Sequence, residues 1–283
     1  MVKRVLDSHL HLWDVNTLKY PWLNEAPAIA NSHFLEDYKN ATTDIPIEKM
    51  VFVQCETEPS QFVDEVSWVS EQAEIDQRIK GIVSWAPLEK GEAAREDLEK
   101  LKKYPLMRGI RRIIQFEEDV NFCLQPNFIR GVQLLPEYDL RFDICIKGDE
   151  QFKNTLELVK QCPDTQFILD HIGKPFIKEG ILEKWSSYIA ELASLPNTVC
   201  KVSGLVVEAD AEKWTIDDLK PYYEVIVKNF GYNRMIFGGD WPVVNLASDY
   251  QTWYKTLIDL NPNASEEELD QLFYENGESF YGV

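Results

Sequence analysis

The feature of this 283-residue chain that most limits its fold is a repeated alternation of short apolar segments with amphipathic ones. Met50 to Cys55 is a short continuous apolar run, which is typical of a strand buried on both faces, and Leu140 to Ile146 is a further strand segment. The first is followed by apolar residues at near-helical spacing, Val66, Val69 and Ala73. Such strand–helix units, repeated along a chain, need parallel strand pairing with right-handed crossovers.

We count eight such strands, most of them followed by a helix, with no linker or low-complexity break. Eight repeats over this length predict an α/β fold of the (β/α)8 TIM-barrel type, with one domain spanning residues 1–283. An open, doubly wound sheet is the alternative fold, and it would be expected to carry a glycine-rich phosphate turn after its first strand. The first strand carries His9 and His11 instead, which favours the barrel.

Composition excludes several classes of partner. The net charge of −19 disfavours nucleic acid, which needs a basic surface, and disfavours docking on an anionic membrane. No apolar run approaches the ~20 residues of a transmembrane helix, and the start lacks the apolar region of a signal peptide. The five cysteines are dispersed without a Cys-x-x-Cys pair, as in reduced cytosolic proteins. We therefore expect a cytoplasmic protein with a small-molecule partner, and the sequence leaves a homo-oligomer open.

The candidate site residues fall at the carboxyl ends of the predicted strands, where a TIM barrel has its active site. His9 and His11 alternate with one residue between them, so both side chains point to the same face of strand one. His171 ends strand six, and Asp240 ends strand eight, which neighbours strand one once the barrel closes. Each has an ordinary structural alternative: solvated strand-end histidines, a hydrogen-bonded turn residue and a helix cap. Taken together, three imidazoles and a carboxylate match the ligands of a borderline divalent metal such as zinc.

The other polar strand ends supply candidate catalytic and binding groups. Asp240 is positioned to take a proton from an attacking water and to return it to the leaving group. Arg111 on strand four and Lys147 after strand five are candidates to polarise a carbonyl or to hold an anionic oxygen. Strand alternation sends Arg112 to the opposite face from Arg111, so we expect Arg112 to form outer salt bridges.

Aromatic and amide side chains provide candidate substrate contacts. The long connection at 15–48 carries Trp22, and loops of this length are uncommon unless they are functional, which makes this one a candidate lid. Trp85 ends strand three and Gln54 ends strand two. His33, inside the lid, is interpreted as a surface or lid residue, with substrate contact as the alternative.

Several segments resemble the amidohydrolase superfamily, and more narrowly its branch of sugar lactonases and pyrone-dicarboxylate lactonases. They cover nearly the whole chain and are VLDSHLHLWD at 5–14, YPWL at 20–23, GIRRIIQ at 109–115, DHIGKP at 170–175, KVSGL at 201–205, FGGDWPV at 237–243 and NGESFYGV at 276–283. The resemblance implies a metallo-dependent hydrolase barrel that hydrolyses lactones and related esters or amides. The superfamily's first-strand histidines, sixth-strand histidine and eighth-strand aspartate map onto His9, His11, His171 and Asp240.

The chain also departs from this pattern. Binuclear members have a histidine on strand five, where this chain ends in Lys147, so we expect one divalent metal ion at most. Because the lactonase branch includes members that work without metal, metal-independent activity is the alternative. The lid has Asn31 near the point where relatives often carry an arginine, which argues against a dicarboxylate substrate.

These observations predict a lactonase that opens an aldonolactone of a sugar such as fucose, rhamnose or galactose. In this hypothesis, water activated by Asp240 attacks the ring carbonyl, and Arg111 helps the three histidines to stabilise the oxyanion. Trp22 and Trp85 would suit stacking on a sugar ring. The alternatives are a metal-dependent decarboxylase of a carboxylated ring and a non-enzymatic sugar-binding barrel, and the complete His/His/His/Asp set argues against the latter.

Overall fold

The computed structural model describes residues 2–283. Within this range eight strands form one sheet in which each strand pairs in parallel with the next along the chain. The predicted (β/α)8 barrel is thereby confirmed. The strands are β1 Val5–Leu10, β2 Ile47–Val53, β3 Ile79–Ser84, β4 Met107–Arg111, β5 Arg141–Ile144, β6 Phe167–Leu169, β7 Thr198–Val202 and β8 Met235–Phe237.

Helices lie between the strands and after the last of them. None of those described for residues 2–283 is long and apolar enough to cross a bilayer. The α-helices are α1 Leu35–Ala41, α2 Phe62–Ile75, α3 Arg95–Leu101, α4 Pro126–Leu134, α5 Asp149–Gln161, α6 Glu183–Ala193, α7 Leu205–Glu208, α8 Ile216–Phe230, α9 Tyr250–Asp259, α10 Glu266–Asp270 and α11 Asn276–Tyr281, and a π-helical turn at Gln271–Glu275 joins the last two.

The core lies between the strands and the inner faces of the helices. In α6, for example, Trp185, Ile189 and Leu192 recur on one stripe and are buried. All five cysteines are buried free thiols, as their dispersed positions predicted: Cys55, Cys123, Cys145, Cys162 and Cys200.

The barrel closes where β1 meets the segment that follows β8. The backbone N–H of Asp240 donates to the carbonyl of His9 at 2.9 Å, and the N–H of His11 donates to the carbonyl of Trp241 at 2.9 Å. These two hydrogen bonds interlock the His-x-His segment with the turn that carries the aspartate. Closure of the barrel therefore also assembles the candidate site.

The buried carboxylate of Asp7 stabilises this junction between β1 and the turn after β8. Its Oδ1 accepts hydrogen bonds from the N–H groups of Gly239 at 2.8 Å and His9 at 3.0 Å. Its Oδ2 accepts from the hydroxyls of Tyr38 at 2.8 Å and Tyr250 at 2.9 Å. A Cβ at position 239 would collide with the Tyr250 ring and the Asp7 carboxylate, so only glycine fits there. Four donors thus satisfy a carboxylate that is fully buried.

We expect Asp7→Asn to lower the free energy of unfolding by about 1–3 kcal/mol, because the amide nitrogen cannot accept the hydrogen bonds that one carboxylate oxygen accepts. Urea unfolding followed by circular dichroism measures this loss. The matched control is Asp164→Asn, an exposed aspartate between α5 and β6 that we expect to change stability by less than about 0.5 kcal/mol. Equal stability of the two variants would contradict a role for Asp7 in holding the junction.

Candidate active site

A cavity of about 210 Å³ opens at the carboxyl ends of the strands. Residues that follow seven of the eight strands contribute to its wall, and the β1–β2 connection adds the rim. The lining residues are His11, Trp22, Glu25, Ala26, Cys55, Glu56, Arg111, Ile113, Phe116, Cys145, His171, Lys174, Gly204, Val207, Glu208, Asp240 and Val243.

Asp240 lies at the centre of the predicted histidine cluster. Its Oδ1 is 3.5 Å from His11 Nε2 and 3.7 Å from His9 Nε2, and its Oδ2 is 3.6 Å from His171 Nδ1. The ring centroid of His9 lies 4.8 Å from that of His11 and 4.6 Å from that of His171. The fold therefore brings together the four residues that the strand-end pattern singled out.

Neighbouring groups fix the orientation of two of these imidazoles. His11 Nδ1 lies 2.7 Å from the carbonyl oxygen of Val53 and must donate to it, which leaves the lone pair of Nε2 directed toward Asp240. His171 Nδ1 lies 2.9 Å from the Ser203 hydroxyl oxygen. Gly204 has a left-handed backbone (φ +70°), and a Cβ there would press against the His171 ring.

Left-handed backbone conformations are concentrated in the turn after β6. His171, Ile172 and Lys174 have φ values of 52°, 50° and 47°, and Asp240 after β8 has 56°. Each non-glycine residue in this region costs on the order of 1–3 kcal/mol and persists only where surrounding contacts impose it. One such contact is the Trp185 indole, which donates to the Ile172 carbonyl at 2.9 Å. The turn thus holds His171 over the cavity floor.

Burial keeps the three imidazoles uncharged. It lowers the pKa of His9 and of His171 well below the usual 6.5, and neighbouring positive charge, Lys201 for His9, acts in the same direction. Burial also lowers the pKa of His11, although the nearby Asp240 carboxylate, which favours the protonated ring, opposes the shift. Neutral imidazoles at physiological pH offer lone pairs to a metal ion and can accept or donate protons.

A network of buried charges lies beneath the histidines. Lys201 on β7 places its Nζ 2.7 Å from Asp143 and 2.9 Å from Asp170, and all three side chains are fully buried. Burial opposes the charge on Lys201, but the two carboxylates outweigh it and raise the pKa of the ammonium group. The hydroxyl of Tyr281 in α11 also donates to Asp143, at 2.7 Å. The network therefore links the C-terminal helix to the site floor.

Arg111 connects this network to the cavity. Its Nη2 donates to the Gln54 carbonyl at 2.6 Å, and its Nη1 lies 3.2 Å from His9 Nε2 and 3.5 Å from Asp170. The guanidinium is almost fully buried and forms part of the cavity wall. Arg111 therefore brings positive charge to the cavity wall at the end of β4.

Sequence reasoning missed the buried acids and the lysine of the floor. Asp7, Asp143, Asp170 and Lys201 are charged residues inside or directly after apolar strands, and they are fully buried. The sequence did show these charged residues within apolar strands, and a charged side chain buried in such a strand has to be paired or functional. What the sequence did not contain was the identity of their partners.

The predicted binding residues occupy different places. Trp22 lines the cavity, and its indole N–H donates to the Cys55 carbonyl at 2.7 Å. Lys147 reaches the cavity wall indirectly, because its Nζ lies 2.6 Å from the lining residue Glu208. Gln54 is fully buried behind the wall.

Trp85 directly follows β3 and is not among the residues that line the cavity. Its ring packs 5.4 Å from that of Phe62 at the start of α2, and the guanidinium of Arg112 lies 5.8 Å from its centroid. Arg112 itself forms salt bridges with Glu89 and Glu117, as strand alternation predicted. This placement gives Trp85 a packing role next to the site.

The connection after β1 contains two short 3-10 helices, at Pro21–Glu25 and Pro27–Ile29, followed by α1. The backbone of His33 pairs with that of Trp13, with N–O distances of 2.8 and 3.1 Å. The His33 ring makes edge contacts with Trp13 and Trp241, at centroid distances of 5.1 and 5.3 Å. His33 therefore packs between Trp13 and Trp241 at the base of the candidate lid, the connection at 15–48.

The donor set fits one divalent metal ion. One nitrogen each from His9 and His11 and one oxygen from Asp240 lie within 4.8 Å of one another, and His9 also belongs to a second such group with Asp170 and His171. Two imidazoles and a carboxylate are typical ligands of a catalytic zinc ion. His9 presents Nε2 to this group, 3.7 Å from Asp240, and its Nδ1 faces Asp170 at 3.6 Å. The nearby Arg111 guanidinium limits how much more positive charge the site can accept.

Comparison with known proteins identifies related sequences. Residues 6–283 match the amidohydrolase family. The chain is 29% identical to an L-fucono-1,5-lactonase of Burkholderia multivorans over 87% of its length and 84% of the relative's. It is 23% identical to an L-rhamnono-gamma-lactonase of Scheffersomyces stipitis over 99% of both chains.

A solved structure is similar over the whole fold. An amidohydrolase from Burkholderia multivorans, crystallised with bound zinc, shares 27% sequence identity and superimposes with a TM-score of 0.89 over 99% of both chains.

We expect the purified, chelator-treated protein to bind about one divalent ion per chain. His11→Gln should weaken that binding at least ~100-fold, because it removes one of three protein donors. Equilibrium dialysis against Zn²⁺ with elemental analysis measures the stoichiometry and the affinity. The matched control is His33→Gln, which changes a histidine outside the donor set and should bind zinc like the wild type. Equal zinc affinity in both variants would contradict the assigned ligands.

Proposed function

Because the chain belongs to the amidohydrolase family, we propose that it is a hydrolase that opens the cyclic ester of a sugar lactone. The observation that carries the proposal is the position of Asp240, whose two oxygens lie 3.5 and 3.6 Å from His11 and His171 at the cavity floor. Relatives named as lactonases of two different deoxy-sugar acids support the substrate class.

In the proposed reaction, Asp240 is the general base and later the general acid. Its carboxylate takes a proton from a water molecule as the water oxygen bonds to the carbonyl carbon of the lactone. The carbonyl π electrons move to the oxygen, which becomes an oxyanion. When the oxyanion collapses, the bond between that carbon and the ring oxygen breaks, and protonated Asp240 gives its proton to the ring oxygen. One lactone and one water yield one hydroxy acid, and Asp240 is regenerated.

Positive charge and N–H groups of the chain stabilise the oxyanion. Arg111 is held in place by the Gln54 carbonyl and directs positive charge to the cavity. The neutral imidazole of His171, whose Nδ1 lies 3.6 Å from Asp240, can also donate a hydrogen bond to the oxyanion. Donors that are fixed before the reaction, in a site shielded from water, lower the barrier more than mobile ones do.

We propose zinc as the metal, with His9, His11 and Asp240 as its ligands. When bound, a zinc ion would supply Lewis-acid polarisation of the carbonyl and a lowered pKa for the attacking water. Activity without metal is the alternative, in which Arg111 and the imidazoles provide all of the stabilisation.

The proposed substrate is an aldonolactone such as L-fucono-, L-rhamnono- or galactonolactone. Trp22 provides an aromatic face in the cavity wall, against which a sugar ring can pack. The role proposed for Lys147 is indirect: its ion pair holds the side chain of Glu208, which lines the cavity. Apolar side chains, including Ile113 and Val207, line another part of the wall.

We expect Asp240→Asn to lower kcat on a sugar lactone at least ~100-fold, because the amide cannot take the proton of the attacking water. A pH-indicator assay on a panel of aldonolactones, with and without chelator, measures the rate. The matched control is Asp259→Asn, an exposed residue at the end of α9, which should retain wild-type turnover. Turnover of Asp240→Asn within a few-fold of wild type would contradict the proposed base.

A further inference from the structure

We propose that Glu56 determines substrate specificity by accepting hydrogen bonds from lactone hydroxyls and by repelling lactones that carry a carboxylate, and that Gln54 positions it. The inference rests on the proposed lactonase function and concerns the same cavity. Glu56 follows β2, is half-buried and lines the cavity wall.

The backbone and the side chain of Glu56 are both held by one amide group. Its N–H donates to Gln54 Oε1 at 2.5 Å, and its Oε1 accepts from Gln54 Nε2 at 2.6 Å. The backbone of Glu56 has φ +52°, a left-handed conformation that a non-glycine residue adopts only under such constraint. This clamp fixes the direction in which the carboxylate points.

Gln54 has no free capacity to bind substrate itself. Its side chain is fully buried, and its Nε2 lies 3.4 Å from the Arg111 carbonyl in addition to its contact with Glu56. An amide has one acceptor oxygen and two N–H donors, and each of these groups is directed to a protein partner here. Gln54 is therefore a positioning residue for Glu56.

The second carboxylate oxygen of Glu56 is available to a ligand. Oε2 accepts no hydrogen bond from any residue in the described range 2–283, whereas Oε1 is held by Gln54. A carboxylate only accepts, so its natural partner is a donor such as a sugar hydroxyl. A hydrogen bond to a charged acceptor is stronger than one to a neutral acceptor. Glu56 should therefore favour binding of lactones that carry ring hydroxyls.

The charges around Glu56 disfavour an anionic substrate. Glu25 and Glu208 also line the cavity, and Asp240 lies at its floor. Two cations line the cavity as well: Lys174, which donates to the Gln115 side-chain oxygen at 2.7 Å, and Arg111, which lies 3.5 Å from Asp170. Four lining acids against two lining cations leave the wall with a net negative charge, which disfavours a lactone that carries its own carboxylate.

The test compares kinetics of wild type and Glu56→Gln on three lactones: a fully hydroxylated neutral aldonolactone, its analogue lacking one ring hydroxyl, and a lactone bearing a free carboxylate. Wild type should prefer the first. Glu56→Gln keeps the shape but removes the charge, so KM for the neutral lactone should rise about 10-fold, with a smaller effect on kcat. Its kcat/KM ratio between neutral and carboxylated lactones should fall about 10-fold.

Two further variants separate specificity from folding. Gln54→Met fills a similar volume without hydrogen bonds and should reproduce the KM increase while it unfolds in one cooperative transition. Glu58→Gln changes a partly exposed glutamate two residues away, which contacts Lys19 and does not line the cavity, and it should match the wild type.

The outcomes distinguish the two proposals. If wild type opens lactones but Glu56→Gln retains the wild-type preference for the neutral substrate, the role of Glu56 is wrong and the lactonase function stands. If wild type opens none of the lactones, the proposed function fails, and the inference fails with it. A relaxed preference in Glu56→Gln and Gln54→Met, but not in Glu58→Gln, supports the inference.

Discussion

The buried carboxylate of Asp7 is the constraint on which the geometry of the site depends. It accepts four hydrogen bonds and links β1 to the turn after β8, next to the point where the Asp240 N–H donates to the His9 carbonyl. In a closed barrel the first and last strands must meet, and here that junction carries the two imidazoles and the carboxylate of the site. Stability of the fold and alignment of the reacting groups thus rest on the same contacts.

A second constraint is that each buried cation beneath the site lies beside a buried carboxylate. Lys201 between Asp143 and Asp170, and Arg111 between Asp170 and His9, place two cations directly under three neutral imidazoles. An unpaired charge at this depth would be costly, so each cation requires its carboxylate partner. The arrangement keeps positive potential near the position proposed for the oxyanion while the histidines remain uncharged.

Much of this architecture was predictable from sequence because it follows from periodicity. The repeat of apolar strands and amphipathic helices predicted the barrel, and the rule that sites lie at carboxyl strand ends brought His9, His11, His171 and Asp240 together. The same rule could not place Trp85, because a residue at a strand end can face either the cavity or the surrounding helices. Nor could it distinguish Gln54, buried behind the wall, from Glu56, which lines it. That difference depends on the left-handed backbone of Glu56, which no spacing pattern encodes.

In the proposed reaction, water attacks the lactone carbonyl carbon above Asp240, and the bond from this carbon to the ring oxygen breaks. Opening of a sugar lactone by the wild-type protein in H₂¹⁸O, followed by mass spectrometry of the product, tests it directly. We expect a single ¹⁸O atom in the new carboxylate, and we expect the released hydroxyl to keep its original oxygen. Label in that hydroxyl would show cleavage on the other side of the ring oxygen and would contradict the account.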